Sequence, residues 1–373
     1  MDTRDWLAVF FLPGLGPQGL AKLQERAPAW PEGWLALLPR QAAAALRLWL
    51  DHPARSPLTP AVEANLDWER AAPGRAILHR DHPDFPPLLG EIADPPAVLW
   101  AQGDLGALSQ AGIAVVGSRR PTGEAAANAR TFARELARRG FCVTSGMALG
   151  IDAEAQRAAL DAGGASIAVL ATGIDVIYPA RHRELYQQLG NTPGGLLLAE
   201  HPPGTRAHPA FFPRRNRIVT GLSLGTLVVE AAEKSGSLVS ARLALEQGRE
   251  LFALPASLNN VQARGSLQLL RTGASLARDA EDIVAELSHW GGHYAACRPD
   301  TGGRPALLKQ APQAPATPAE PADPLLAALG ANPVPIDVLV EQVGLTVGEC
   351  QQRLLMLELD GLVGHQAGGW ARR

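Results

Sequence analysis

Lysine is nearly missing from this chain of 373 residues: of 34 basic side chains only Lys22, Lys234 and Lys309 are lysines, and the rest are arginines. None of the three follows a glycine, so no Gly-Lys-Ser/Thr exists to cradle a nucleotide phosphate, which argues against a Walker-type ATPase. Cysteine is equally scarce. Cys142, Cys297 and Cys350 lie far apart, lack metal-ligand spacing and leave an odd thiol in any pairing scheme. No His/Cys cluster stands in for them, so neither a metal nor a cofactor is expected. Long apolar runs are also missing: nothing approaches the roughly 20 residues that cross a bilayer. The run ending at Leu12 stops at Pro13 after an acidic start unlike a secretion signal. A cytoplasmic location and no membrane partner are the expectation.

What is present is an ordinary globular composition, 46% hydrophobic and 19% charged, in a chain long enough for two or three domains. The net charge of −3 is unevenly spread. Residues 110 to 290 hold 19 Arg and Lys against 16 Asp and Glu, an excess of three positive charges, so the remainder carries six negative ones. Arginine richness follows from genomic base composition as readily as from function. Arginines beside glycine loops, however, are what planar, bidentate phosphate recognition uses.

Five stretches read as an apolar strand running into a small polar loop: Ile113 to Arg119, Phe141 to Asp152, Ile167 to Asp175, Leu196 to Pro203 and Leu227 to Ser237. They alternate with helical stretches at Gly123 to Arg139, Ala153 to Ala162 and Ser237 to Gln247. That repetition predicts a parallel sheet wrapped on both faces, with loops gathered at the strand carboxyl ends. Before it, residues 1 to about 70 read as an Ala/Leu/Trp-rich all-α module, and 71 to 109 as a connecting segment. Its Leu12 to Pro17 turn resembles a helix-hairpin-helix phosphate grip or a plain turn between packed helices. After it, residues 299 to 324 hold seven prolines and read as a linker. Residues 325 to 373 predict a winged helix. Ile336 to Val343 forms a helix turned by Gly344, Thr346 with Glu349 caps a helix reaching Asp360, and Leu362 to Arg373 makes a hairpin turning near Ala367-Gly368. This unit carries Asp337, Glu341, Glu349, Glu358 and Asp360 against Arg353, Arg372 and Arg373, so a protein contact or a structural role suits it better than duplex DNA.

The loops supply the candidate chemistry. Gly117, Ser118 and Arg119 combine a close backbone approach, a hydroxyl and a guanidinium at a helix start, a pattern that also serves simple packing. Ser145 and Gly146 open the next helix, where Asp152 reads as a cap. Arg214, Arg215, Asn216 and Arg217 follow Phe211 and Phe212, pairing rings for base stacking with guanidinium groups for phosphates; the plainer alternative is a solvated basic turn. Lys234, Ser235 and Gly236 precede Ser237, a natural N-cap. Gly221 to Gly225 satisfies G-x-S-x-G on paper, but a nucleophile elbow follows a strand, and here the string runs into one. Glu230 and Asp175 are candidate carboxylates without a paired histidine or acid. Binding fits better than turnover.

These motifs, in order, resemble the DNA-processing protein A family (DprA, also Smf): Val116 to Arg119, Ser145 to Asp152, Gly173 to Asp175 with Tyr178-Pro179, Phe212 to Ile218, and Ser235 to Ser237 with Gly248-Arg249. Asp94 to Leu99 fits too, and the likeness spans roughly residues 84 to 285. The resemblance implies a Rossmann-like sheet domain over 110 to 298, with flanking sterile-alpha-motif-like and winged-helix modules. It further implies a non-enzymatic mediator that binds incoming single-stranded DNA in natural transformation, forms a homodimer and helps load RecA recombinase. Gly117, Ser118 and Arg119 would form the phosphate pocket, with Arg215, Arg217 and Lys234 along the strand. Gln156, Ala256 and Ser266-Leu267 depart from the family's residues at those positions. For the dimer contact, the leucine-crowded Leu269 and Leu270 and the stripe Ile283, Val284 and Leu287 are the candidates. The competing function is a nucleotide-processing enzyme of phosphoribohydrolase type, echoed only by Gly225-Thr226 and Glu230.

Overall fold

The computed structural model describes residues 1–26, 28–290, 324–330, 334–359, 361–366 and 369–372, which fall in two compact units, Met1–Gln310 and Ala311–Arg373. The first unit opens with five helices, α1 (Thr3–Phe10), α2 (Pro17–Glu25), α3 (Glu32–Leu37), α4 (Arg40–Asp51) and α5 (Thr59–Arg70). A capping box starts α1: the Asp5 amide donates to the Asp2 side chain while the Asp2 amide donates to that of Asp5. The apolar sides of these helices, including Trp6, Leu7, Leu46 and Trp49, pack into one cluster that also takes in Ile77, Trp100, Ala168 and Leu170 of the sheet. Trp100 Nε1 seals the join by donating to Asn65 Oδ1 at 2.9 Å.

Nine strands make one sheet: β1 (Arg75–His79), β2 (Val98–Gly103), β3 (Gly112–Val116), β4 (Cys142–Ser145), β5 (Ser166–Gly173), β6 (Gly195–His201), β7 (Gly225–Val228), β8 (Glu250–Ala253) and β9 (Ser275–Leu276). Their order is β1-β2-β6-β5-β4-β3-β7-β8-β9. Every pair from β6 to β9 is parallel, whereas β1 and β2 join antiparallel at one edge. The segment 71 to 109 is therefore more than a connection, since it contributes two strands to the sheet. Helices α6 (Pro87–Gly90), α7 (Gly123–Arg138), α8 (Ile151–Asp161), α9 (Arg183–Asn191), α10 (Phe211–Gly221), α11 (Ser237–Glu246), α12 (Arg264–Arg271) and α13 (Ala280–Leu287) complete the unit.

Alternation along each strand divides the core. Ile113 and Val115 face a layer with Phe132 and Leu136 of α7 and Ile283 and Leu287 of α13, while Ala114 and Val116 face Ile218 of α10 and Ala241 of α11. With both faces covered, the strands read as continuous apolar runs. From β3 the chain steps through β4, β5 and β6, then returns along α10 to place β7 on the other side of β3. That reversal opens a crevice at the carboxyl ends of β3 and β7.

The stripe Ile283, Val284 and Leu287 belongs to this core and not to a surface: Ile283 and Leu287 are wholly buried, and Val284 packs against the same cluster. Leu269 and Leu270 are half-buried, with Leu269 packed against the opposite layer.

The second unit matches its expected pattern. Helices Pro324–Ala328, Ile336–Val343 and Val347–Leu359 and the antiparallel strands Val363–Gln366 and Gly369–Arg372 close over Leu325, Leu339, Cys350, Leu354 and Val363. Gly344 ends its helix in the left-handed region at φ +69°, and Glu349 Oε2 accepts from the Thr346 amide at 3.0 Å and hydroxyl at 2.7 Å. Those hydrogen bonds hold the Glu349 carboxyl below its usual range. The linker before Pro324, Cys297, Asp360 and the Ala367-Gly368 turn lie outside the described residues.

Candidate nucleic-acid interface

The crevice encloses about 530 Å³ and is built by four elements meeting at the switch between β3 and β7. The loop after β3 brings Gly117, Ser118 and Arg119; the loop after β4 brings Gly146, Ala148 and Asp152; α10 brings Phe212, Arg215 and Asn216; the loop after β7 brings Lys234, Ser235 and Gly236. Nine of the twelve phosphate-site candidates thus share one concavity. Among its described lining residues three cations, Arg119, Arg215 and Lys234, face a single carboxylate, Asp152.

The cations sit at two depths. Arg119 and Lys234 are exposed at the rim, where the Arg119 guanidinium lies 5.8 Å from the centre of the Phe212 ring. Tyr178, itself half exposed, stands 5.3 Å from the same ring. Arg215 lies deeper, 7% exposed, with Nη1 donating to the Val169 carbonyl and no protein acceptor reaching Nε among the described residues. Burial lowers its pKa to about 10 against the pull of Asp152. Gly146 makes this possible, because a Cβ there would collide with the guanidinium. Gly117 is needed for a different close approach: its Cβ would stand 2.6 Å from Ile151 Cγ1.

The loops around the crevice are tied within themselves and to one another by hydrogen bonds. Asp152 is not the helix cap it resembles: Gly150 occupies that position, and the carboxylate reaches back to accept the Gly146 and Ala148 amides at 3.1 and 3.3 Å. Burial nevertheless pushes the Asp152 carboxyl up, against Arg215 and those amides. Between them Met147 adopts φ +53°, and buried His182 donates from Nδ1 to its carbonyl at 3.0 Å. Ser237 likewise is not a cap; α11 starts behind Gly236, and Ser237 Oγ donates to the Gly117 carbonyl at 2.8 Å, tying two of the crevice loops together. Sequence spacing gave no sign of these cross-loop ties.

Three candidates stand apart. Ser145 is fully buried and its hydroxyl donates to the Val115 carbonyl at 2.6 Å. Arg217, 6% exposed, is locked by internal ion pairs, with Nη2 2.6 Å from Glu200 Oε1 and Nε 3.2 Å from Asp94 Oδ2. Arg214 leans on the same two carboxylates at 3.4 and 3.8 Å. The expected contact of Arg217 with a strand is therefore corrected: it clamps α10 to β6. Helical spacing separates 215 from the face shared by 214 and 217, but it does not say which face meets carboxylates.

The candidate carboxylates are spoken for. Glu230, 2% exposed, accepts from the Thr122 hydroxyl at 2.8 Å, the Thr122 amide at 3.2 Å and Asn260 Nδ2 at 3.2 Å. Asp175 accepts the Gly204 amide at 2.7 Å. Ser223 is buried and donates to Val219, which removes the G-x-S-x-G serine from consideration. Among the departing residues, Gln156 is buried and donates to the Ile167 carbonyl at 3.0 Å while its Oε1 meets no protein donor among the described residues, and Ser266 Oγ accepts the Ala231 amide at 2.9 Å. Cys142 and Cys350 are buried, and burial pushes the Cys142 thiol up to about 12. Among the described residues no group of His, Cys, Asp and Glu could hold a metal ion, and no helix is long and apolar enough to cross a membrane.

Comparison with known proteins agrees with this architecture. Protein Smf of Escherichia coli is 37% identical over 378 residues, covering 100% of this chain and 96% of that protein. The X-ray structure of DNA processing protein A from Streptococcus pneumoniae superposes with a TM-score of 0.66 at 29% identity, covering 77% of this chain and 98% of that one. A Helicobacter pylori DNA processing protein A structure, described for its single-stranded DNA binding mode, gives 0.52 at 33% identity over 57% of this chain and 95% of that one. The DprA winged helix domain matches residues 309–369, and the family model for DNA recombination-mediator protein A matches residues 76–288, from the edge of the sheet through its last helix. The chain belongs to the DNA recombination-mediator protein A family.

Proposed function

We propose that this protein is a single-stranded DNA-binding mediator that protects incoming DNA and helps load RecA recombinase in natural transformation. The observation that carries this is the convergence of Arg119, Arg215 and Lys234 on one concavity against a single carboxylate. Glycine-opened loops let backbone and phosphate approach closely, and the half-buried Phe212 beside exposed Tyr178 offers ring surface for splayed bases. Duplex bases are already stacked on each other, so a strand of the same length binds better unpaired. Binding without turnover is supported by Glu230, whose carboxylate is buried and committed to Thr122 and Asn260.

The cytoplasmic setting, homodimer and RecA contact belong to the same proposal. Leu258, Val261 and, in edge strand β9, Leu276 are 83%, 60% and 48% exposed, apolar side chains that would suit contact with a second copy. In the winged-helix unit Leu355 and Met356 are 56% and 58% exposed on a helix with little positive charge, which favours a protein contact over duplex DNA. Filter binding of single strand and duplex across salt, on the full chain, tests the proposal. Preference for single strand that weakens steeply with salt is expected; equal retention of both forms refutes it, and free base released from nucleoside monophosphates supports the enzyme instead.

A further inference from the structure

The amino-terminal helices hold a second concavity, of about 260 Å³, lined by Trp6, Trp30, Trp34, Gln24, Arg80 and Asp81 among others. It shares no lining residue with the crevice, and none of the crevice residues is a tryptophan. Its walls are indole. Trp34 meets Trp6 edge-on at 5.9 Å and Trp30 at 6.1 Å between ring centroids. Trp6 and Trp34 are buried, but Trp30 is half-buried and keeps free ring surface.

Gln24 is 4% exposed, and its Oε1 meets no protein donor among the described residues. A buried acceptor left unmet is costly and uncommon, so this atom calls for an N–H from a ligand. Arg80 is exposed and makes a long hydrogen bond, 3.5 Å from Nη1 to the Gln24 carbonyl. Asp81, in contrast, is engaged by Trp6 Nε1 at 2.9 Å and by the Met1 amine at 3.1 Å.

We propose that this concavity is a nucleotide-binding site, taking one unpaired base against Trp30, with an amino group of the base donating to Gln24 Oε1 and the phosphate on Arg80. Stacking on an aromatic ring beside a guanidinium is how single strands are held without sequence readout. An organic cation would suit indole walls equally well. Arg80 repels such a guest, however, and the carboxylate that would attract it already has two partners.

Tryptophan emission reports this site, because the crevice has no indole. Titrating the full chain with dAMP should give a saturable quench, and the same quench should appear in an Arg119→Ala/Lys234→Ala variant. Trp30→Ala and Gln24→Leu should each weaken it roughly tenfold. Gln24→Leu should melt no lower than the parent, since it removes an unmet acceptor at similar volume. Arg80→Ala should weaken dAMP but not adenosine. Absence of a quench, a quench undiminished in Gln24→Leu, a quench lost in the crevice variant, or one produced by tetramethylammonium instead of dAMP overturns the assignment. If strand binding at the crevice fails while the dAMP quench persists, the proposed function falls and this site stands.

Discussion

Replacing Arg119 by alanine removes one exposed guanidinium from a site that the structure furnishes with three cations, and the loss is best read as a salt slope. Each phosphate neutralised on a single strand contributes about −0.7 to the slope of log K against log salt. Three cations give about −2.1 and two give about −1.4. Between about 50 and 200 mM salt the parent should therefore lose about twentyfold in affinity and Arg119→Ala about sevenfold. Fluorescence anisotropy of an end-labelled oligothymidylate, titrated at four or more salt concentrations, measures both numbers. Because the side chain is exposed and its recorded contact is the Phe212 ring, the melting temperature should hardly move. A slope unchanged by the substitution, or a parent slope near zero, refutes phosphate neutralisation at this crevice.

Arg217→Ala should behave oppositely, costing about 3 kcal/mol by leaving buried Glu200 with only the longer Arg214 contact and lowering the urea midpoint, with a parent-like midpoint counting against the clamp. Gly146→Ala drives a methyl group into the buried Arg215 guanidinium, so strand affinity should drop more than about tenfold in the same anisotropy assay; equal affinity would show that Arg215 does not need its place. His79 is pushed down to about 4 by burial, and also by His82, from an ordinary 6.5, so the unfolded chain binds the extra proton first. Its stabilising share is complete above pH 6.5 and is lost as pH falls through about 4. Urea midpoints measured from pH 7 to 4 should fall less in His79→Gln than in the parent, and parallel curves would dismiss the effect.

The parallel strands β3 to β7 were legible because burial on both faces writes them as unbroken apolar runs, whereas the short β8 and β9 were not expected; helices α7, α8 and α11 end within a residue or two of their expected bounds. The strands β1 and β2 were not legible. Arg75–His79 and Val98–Gly103 are short, flanked by prolines and glycines, and paired antiparallel with each other and with β6, a partner that local pattern cannot name. The site divides the same way. Glycine loops following strands announced Gly117, Gly146 and Gly236, although the side chains that require the first two, Ile151 and Arg215, lie far along the chain. The fate of Arg217 depended on Asp94 and Glu200, and a guanidinium awaiting phosphate looks no different in sequence from one already held by carboxylates. Ser237 misled for a related reason, its hydroxyl being drawn across to Gly117 instead of to its own helix.

The depth of Arg215 has one more consequence. Folding has already stripped this cation of most of its hydration, with the Val169 carbonyl accepting from Nη1, so its desolvation cost is met before any guest arrives. An incoming phosphate relaxes the scaffold while it fills the cleft. Inorganic phosphate alone should then raise the melting temperature, coupling occupancy to the rigidity of the three loops and the helix that meet there.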